Sequence, residues 1–435
     1  MKSFAAKVWF LLRLLAFSSA AVAYAAWVRL IRRRHSASKG TTDESRTAIV
    51  FISTHPFAGL WQRPQQIAVR LAKSYSILYF WPRYASDLAR RRGNSQQVEP
   101  ESALSVRLVS PLLLPFERAI PAACRTNLGT VKSIISHRLW AEGFATAPIL
   151  WFYAPRFAPL LDSLGHSAVV YDIMDEHSAF SFARRDMREL EARLLRDADL
   201  VFAGTNTLAE RKREFAPQVR YLPCGVEFEH FSAAAAKNLH VPPVLSGVSG
   251  PVIGYFGAVD DRLDFDMLLA AAMRHPDWTI LLAGPWLATK SRAEVQSQPN
   301  ILMPGLVPYA ELPAYLARFD VAVLPFVLNE LTMHIHPTKV LEYLASRTPV
   351  VSTPIPDVVK FYSGIVKIAS TPDEFIAAVE NLLNTPDADA VERGYQMARA
   401  SSWDALVESM RVDLEKAVGK HKTPKEPRPA TDAQV

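Results

Sequence analysis

Short apolar runs recur along the chain from residue 47 onward and alternate with stretches of helical period. The runs are Ala48 to Ser53, Ile77 to Trp81, Ile149 to Tyr153, Ala168 to Ile173 and Leu200 to Ala203, then, after a break, Val252 to Phe256, Thr279 to Leu282, Val321 to Leu324 and Val350 to Ser352. The runs are largely apolar instead of alternating, as in a parallel strand covered on both faces. Strand alternating with helix predicts an α/β fold with helices on both sides of parallel sheets. The break, Ser232 to Pro251, holds four alanines, a polar stretch, Val-Pro-Pro and Ser-Gly-Pro, and reads as a linker. Two doubly wound, Rossmann-like domains are therefore expected, 46–235 and 250–390, with a ligand cleft between them beyond the carboxyl ends of the strands. A helix over about 391–418, containing Trp403, has no strand after it and is expected to pack back on the first domain. Residues 421–435, rich in Lys, Pro, Thr and Ala, read as a disordered tail.

The N-terminal 40 residues break this rhythm. Leu14 to Val28 carries no charge, and Val8 to Ile31 is apolar apart from Arg13 and Arg29. Trp9 and Trp27 stand roughly 27 Å apart along a helix rising about 1.5 Å per residue, close to the thickness of a bilayer's hydrocarbon core. A single membrane helix is the expectation, in place of an in-plane amphipathic helix, which needs a continuous polar face. The Ala23-Tyr24-Ala25 triplet resembles a signal-peptidase site, but Arg32, Arg33 and Arg34 directly after the apolar run oppose translocation. By the positive-inside rule the body of the chain is expected at the cytoplasmic face of the inner membrane.

Charge changes the picture once it is located. The chain carries +6, with 49 Lys and Arg against 43 Asp and Glu, and eight of the basic residues and none of the acids fall in the first 40. The remainder therefore holds 41 basic against 43 acidic residues, and nucleic-acid binding, which needs a basic face, loses its motive. Cys124 and Cys224 are too few for a disulfide framework, so a reducing compartment is expected.

The stretch HPTKVLEYLASRTPVVST, 336 to 353, carries the first chemical signal. Pro337 suits a first helical position, and Thr338, Lys339 and Glu342 share a face at spacings of three and four. A charged pair near a helix N-terminus, where free amides favour an anion, points to a phosphate-bearing ligand; a solvated face with an incidental salt bridge remains the rival.

The order of several stretches then matches a known pattern. WQRPQQIAVRLA (61 to 72), VVYDIMDEHSAF (169 to 180), ELEARLLRDADLVFAGTNTL (189 to 208), YLPCGVEFEHF (221 to 231), VIGYFGAVDDRLDFDML (252 to 268), PGLVPYAELPAYLARFDVAVLPF (304 to 326) and the stretch above resemble the GT-B glycosyltransferases, family 4-like, of the type that includes teichuronic acid and exopolysaccharide enzymes. The resemblance spans about residues 46 to 415. It implies a nucleotide diphosphate-sugar donor, with Glu342 on the ribose hydroxyls and Lys339 on the diphosphate, where a carboxylate accepts two bonds from a vicinal diol and a lysine neutralises the leaving group. His334 stands where the family usually has an acid, and Glu330 is the candidate substitute. Gly257 would let the backbone approach the donor, Arg262 would pair with phosphate, and Gly284 would line the same cleft.

On the acceptor side the resemblance points to the loop His55 to Arg63, with Gly59 for flexibility and Arg63 for an acceptor phosphate or, equally, tied to its own helix. Asp172, Asp175 and His177 are candidates for positioning or deprotonating the acceptor hydroxyl, with a cap role as the bland alternative for one acid. Glu191 is expected to orient a neighbour. Cys224 and Glu227 replace the usual Asn and Asp of a turn that Gly225 preserves. Asp264-Phe-Asp266 invites a metal reading, but Asp264 as a helix cap is preferred, and His334 with His336 lacks a third ligand. No metal or other cofactor is implied. The expectation is a membrane-anchored transferase acting on a lipid-linked or polysaccharide acceptor, with retention implied by the family. A non-catalytic nucleotide-sugar-binding or partner module, and less strongly a nucleotide-sugar epimerase, are the alternatives.

Overall fold

The structure, a computed structural model, describes residues 14, 16–24, 26–27, 46–57, 61–86, 106–117, 119–144, 146–179, 183–329, 332–334 and 338–420, with only the backbone of His334 and Lys420. Two compact units result. The first gathers residues up to Ala203, Ala209–Arg220 and the chain from Val407; the second gathers Gly204–Leu208 and Tyr221–Leu406.

The first unit is built on β1 (Ala48–Ile52), β2 (Ser76–Phe80), β4 (Val106–Val109), β6 (Ile149–Phe152), β7 (Ala168–Ile173), β8 (Leu200–Ala203) and β9 (Val219–Tyr221), in the order β4-β2-β1-β6-β7-β8-β9. Neighbours from β4 through β8 all run parallel. β3 (Arg83–Tyr84) pairs with β5 (Leu112–Leu113) in a small separate sheet. The inner strands are apolar because helices cover both faces: β1 and β6 are buried at every residue.

The second unit repeats the plan with β10 (Val252–Phe256), β11 (Thr279–Ala283), β12 (Ile301–Gly305), β13 (Val321–Leu324), β14 (Val350–Ser352) and β15 (Lys367–Ile368), in the order β12-β11-β10-β13-β14-β15. All neighbours are parallel. In both sheets chain order reverses beside the first strand, between β1 and β6 and between β10 and β13. Such switch points open a crevice beyond the carboxyl ends of the strands, where open α/β sheets take their ligands.

Two expectations about organisation change, and a third falls mostly outside the described residues. Ser232–Pro251 is no free linker: Ala233–Ala236 and Pro243–Leu245 form short 3-10 turns, and Ala234 and Leu245 are buried in the core of the second unit. Its alanines and prolines signal close packing as much as freedom. The expected helix 391–418 is two helices, Ala388–Ala400 and Trp403–Lys420, and their junction pairs with the second unit through Val226 N–H to the Ser401 carbonyl at 3.0 Å. From Val407 onward the last helix belongs to the first unit, where Arg220 donates to Asp413 and to Ser409 Oγ. At the N-terminus, among the described residues, no helix is long and apolar enough to cross a membrane. Most of the expected anchor, 1–40, lies outside the described residues, as do Gly59, Glu330, the His334 side chain, His336 and the tail 421–435; only Leu14, 16–24 and 26–27 of the anchor are described, in helix.

Candidate functional site

In the second unit the structure brings together residues that the sequence scatters over 86 positions. The buried strand β10 ends at Phe256, and Gly257 turns out of it at φ +143°, a backbone only glycine adopts freely. A Cβ at Gly284, after β11, would lie 1.7 Å from the Gly257 carbonyl oxygen, so both glycines are required for the two turns to touch. The turn after β10 is tied down along its length: Gly257 N–H bonds to the Ala283 carbonyl at 2.9 Å, Val259 N–H to Pro285 at 3.0 Å, and Asp264 N–H to Pro325 at 2.7 Å. Asp264 Oδ1 accepts from Met267 N–H at 3.0 Å and caps the helix Phe265–Arg274, which settles its role as a cap.

The helix Thr338–Ala345 begins beside this turn, with Thr338 half-buried in its first turn. Lys339 Nζ lies 3.0 Å from Glu342 Oε2 and 5.1 Å from the centre of the Phe256 ring, and its Cε is 3.4 Å from a Cβ built on Gly257. Two features are unfavourable in a protein at rest. A cation in the first turn opposes the helix dipole, which favours anions there. Glu342 Oε2 is buried and has no hydrogen bond among the described residues, so that Lys339 Nζ at 3.0 Å meets it as an ion pair only. A buried carboxylate oxygen without a donor costs about 1–3 kcal/mol. Such broken local rules are expected where a ligand completes the arrangement.

Arg262 departs from its expected role. Its guanidinium chelates Asp260 of its own turn, at 2.8 Å from Nε and 2.7 Å from Nη2, and lies over the Phe326 ring. It shapes the turn in place of offering a free charge.

In the first unit the structure pairs two residues expected to act separately. Arg63 Nε donates to both oxygens of Asp172, at 2.9 and 3.1 Å, with both side chains out of solvent. This corrects both expectations: an arginine and a carboxylate that neutralise each other in a dry core are held there, since leaving either unpaired costs several kcal/mol. Burial nonetheless pushes the Asp172 carboxyl up, with Arg63 pulling it back.

His55 follows β1, and Asp175 and His177 follow β7, at the same end of one parallel sheet, and Asp175 and His177 act electrostatically on His55. His55 is half-buried, its N–H bonds to Ser53 Oγ at 3.0 Å and its carbonyl accepts from Tyr79 at 3.1 Å. His177 Nε2 donates to the Tyr153 carbonyl at 2.9 Å. Burial lowers both histidines, against the pull of Asp175, so that neutral imidazoles are favoured at neutral pH. Sequence reasoning missed what holds this turn. Lys212 Nζ bonds Glu176 Oε1 at 3.0 Å and Glu191 Oε2 at 2.8 Å, and Tyr171 donates to Glu191 at 3.0 Å, so Glu191 does orient neighbours. No local pattern announces Lys212, which meets its partners across 36 and 21 residues. Among the described residues no three His, Cys, Asp or Glu side chains gather as a metal site.

Two parallel Rossmann-like sheets and a glycine turn facing a Lys–Glu helix define the GT-B class of glycosyltransferases. Residues 250–385 match the family model described as glycosyl transferases group 1. A Bacillus subtilis (strain 168) protein, provisionally named teichuronic acid biosynthesis glycosyltransferase TuaH, is 31% identical over 279 residues, which cover 59% of this chain and 69% of that one. Among solved structures, sucrose-phosphate synthase from Thermosynechococcus elongatus superposes with a TM-score of 0.66 at 16% identity, covering 86% of this chain and all (100%) of that one. Anabaena Alr3699/HepE, solved in complex with UDP-glucose, gives 0.62 at 13% identity over 85% of this chain and 100% of its own. The chain belongs to the group 1 glycosyltransferases, family 4-like in sequence and GT-B in fold.

Proposed function

We propose that the protein transfers a sugar from a nucleoside diphosphate sugar to a lipid-linked or polysaccharide acceptor of the cell envelope. The observation that carries the donor assignment is the Lys339 and Glu342 pair, with a cation against the helix dipole and a buried carboxylate oxygen lacking a donor. A diphosphate beside Lys339 and a ribose diol on Glu342 would supply what each lacks. Gly257 and Gly284 give the backbone room to approach the phosphates, and helix amides with Lys339 would take up charge as the diphosphate leaves. His55, Asp175 and His177 are the groups we assign to the acceptor hydroxyl, His55 and His177 favoured as neutral imidazoles able to accept or relay its proton. The envelope acceptor draws its support from the name of the Bacillus relative. An apolar segment 14–28 followed by Arg32, Arg33 and Arg34 supports action at the cytoplasmic face of the membrane, where a lipid-linked acceptor lies. We further infer retention at the anomeric carbon, which the family resemblance implies and which the anomeric coupling in the product's proton spectrum decides.

The test is thermal unfolding of the full chain with a panel of nucleoside diphosphates and their sugars, followed by turnover of any that bind against an extracted envelope lipid fraction. A ligand at 100 times its Kd should add about 2.7 kcal/mol of stability. Stabilisation by one sugar nucleotide and release of its diphosphate only when acceptor is present support the reading. Stabilisation without turnover on any acceptor would leave a binding module, and no stabilisation by any nucleotide would remove the donor site.

A further inference from the structure

We infer that Tyr255 is a positioning residue for the donor: its hydroxyl holds the glycine turn in the shape that receives the diphosphate. The inference rests on the donor reading above and concerns a side chain that never touches the ligand. Tyr255 is the penultimate residue of β10 and 2% exposed, and its O–H donates to the Ala258 carbonyl at 3.0 Å. The bond spans the turn from its root, with Gly257 between. A Cβ on Gly257 would meet the Tyr255 oxygen at 2.8 Å and Lys339 Cε at 3.4 Å, so hydroxyl, turn and lysine stem are stacked in contact.

The rest of the turn is fixed by backbone bonds and by the side chains of Asp260 and Asp261, which accept from Arg262 and from Thr289. Gly257 and Val259 donate to Ala283 and Pro285 on one side; on the other, Val327 N–H bonds to the Arg262 carbonyl at 2.8 Å and Asp264 to Pro325. The peptide between Gly257 and Val259 is held by the Tyr255 hydroxyl. Gly257, at φ +143°, leads into that peptide. The ring below is immobilised edge-on against Phe326, at 6.2 Å and 70°. Burial pushes the phenol far above its usual range, with Arg262 pulling it down and Asp260 and Glu342 pushing it up, so the hydroxyl stays a donor at every working pH.

A turn that is pre-shaped binds its anion without spending affinity on ordering. Tyr255→Phe keeps the ring and its packing and removes one bond, so the protein should fold. The experiment is calorimetric titration of the full-length native protein and of Tyr255→Phe with UDP, GDP, ADP and dTDP in turn. For whichever diphosphate the native protein binds, the variant's Kd should rise about tenfold, the worth of one hydrogen bond at the upper end of its usual range. In turnover the donor KM should rise in the same proportion, with kcat at saturating donor within about twofold of native, as loss of uniform binding requires. Tyr343→Phe is the control. Its hydroxyl accepts from Phe256 N–H at 3.2 Å in the same core, and its removal should lower the melting temperature with donor Kd held within about twofold.

Equal Kd for native and Tyr255→Phe, or equal weakening by Tyr343→Phe, would overturn the inference, because the hydroxyl would then do nothing that general core packing does not. Native protein that binds none of the four diphosphates is a different failure: it removes the donor reading itself.

Discussion

The two units hold charged pairs of opposite kinds. Arg63 and Asp172 are fully buried, with Arg63 Nε shared between both carboxylate oxygens, whereas Lys339 and Glu342 are 27% and 14% exposed, with the cation placed against the helix dipole. The first pair is shut away from water and the second is reached by it. A sequence offers both as charged residues near strand or helix ends, and the difference shows only in how far each is buried. Removing half of a sealed pair should harm the fold; removing half of one that solvent reaches should harm binding and spare the fold.

The largest expected effect is therefore on stability and in the first unit. Arg63→Met leaves Asp172 buried without its partner, and breaking such a pair costs about 3–5 kcal/mol. At roughly 2–4 °C per kcal/mol for a unit of this size, the melting temperature should fall by on the order of 10 °C. A fall of only a degree or two would mean that water reaches Asp172, and the pair would then rejoin the candidates for acceptor contact.

Glu342→Ala is the counterpart in the second unit. Losing the charged acceptor of a bound diol should cost about 3 kcal/mol of donor binding, roughly 150-fold in Kd, since hydrogen bonds to charged groups are worth about 1.5–3 kcal/mol each. Without ligand the variant should melt within about 2 °C of the native temperature, because it loses only a partly exposed ion pair together with a carboxylate oxygen that lacks a hydrogen bond. Donor titration beside ligand-free melting separates the two. A variant that unfolds early and binds donor normally would make Glu342 structural and erase the contrast.

The parts legible in the sequence are those that solvent decides. Inner strands such as β1, β6, β10 and β13 are buried at every residue, so they appear as apolar runs and their limits fall within a residue or two of expectation. Strands that escaped notice lie at or near sheet edges: Val106–Val109 is buried only at its two ends and carries Arg107, Ile301–Gly305 contains Pro304 and is half-exposed, and Lys367–Ile368 is exposed throughout. Glu342 and Lys339 were legible because helix geometry fixes what stands three residues away. Arg63 and Asp172 meet across 109 residues, and Lys212 meets Glu191 only because the sheet sets their helices side by side. Periodicity carries no information about such pairs. Tyr255 was read only as part of a strand, since nothing local says that its hydroxyl reaches over the turn that follows.

The smallest effect concerns acid, and it sharpens the contrast inside the first unit. His55 and His177 are held below the usual imidazole range by burial; for His177, Asp175 and Glu191 pull the other way and Arg156 with it. A histidine lower in the folded state than its unfolded value of about 6.5 takes up its proton more readily when the chain unfolds. Its contribution to stability is complete above about pH 6.5 and is lost as pH falls from there toward the folded value. The melting temperature should therefore decline between about pH 7 and 5, and His177→Gln should flatten the decline. Sugar transfer should fall at the acid end of that range, where the folded imidazoles themselves take up protons, if they serve the acceptor, and its fall should outrun the loss of folded protein. If transfer and folded fraction decline together, the histidines belong with Arg63 and Asp172 as parts of the core, and the acceptor hydroxyl must be served by Asp175 instead.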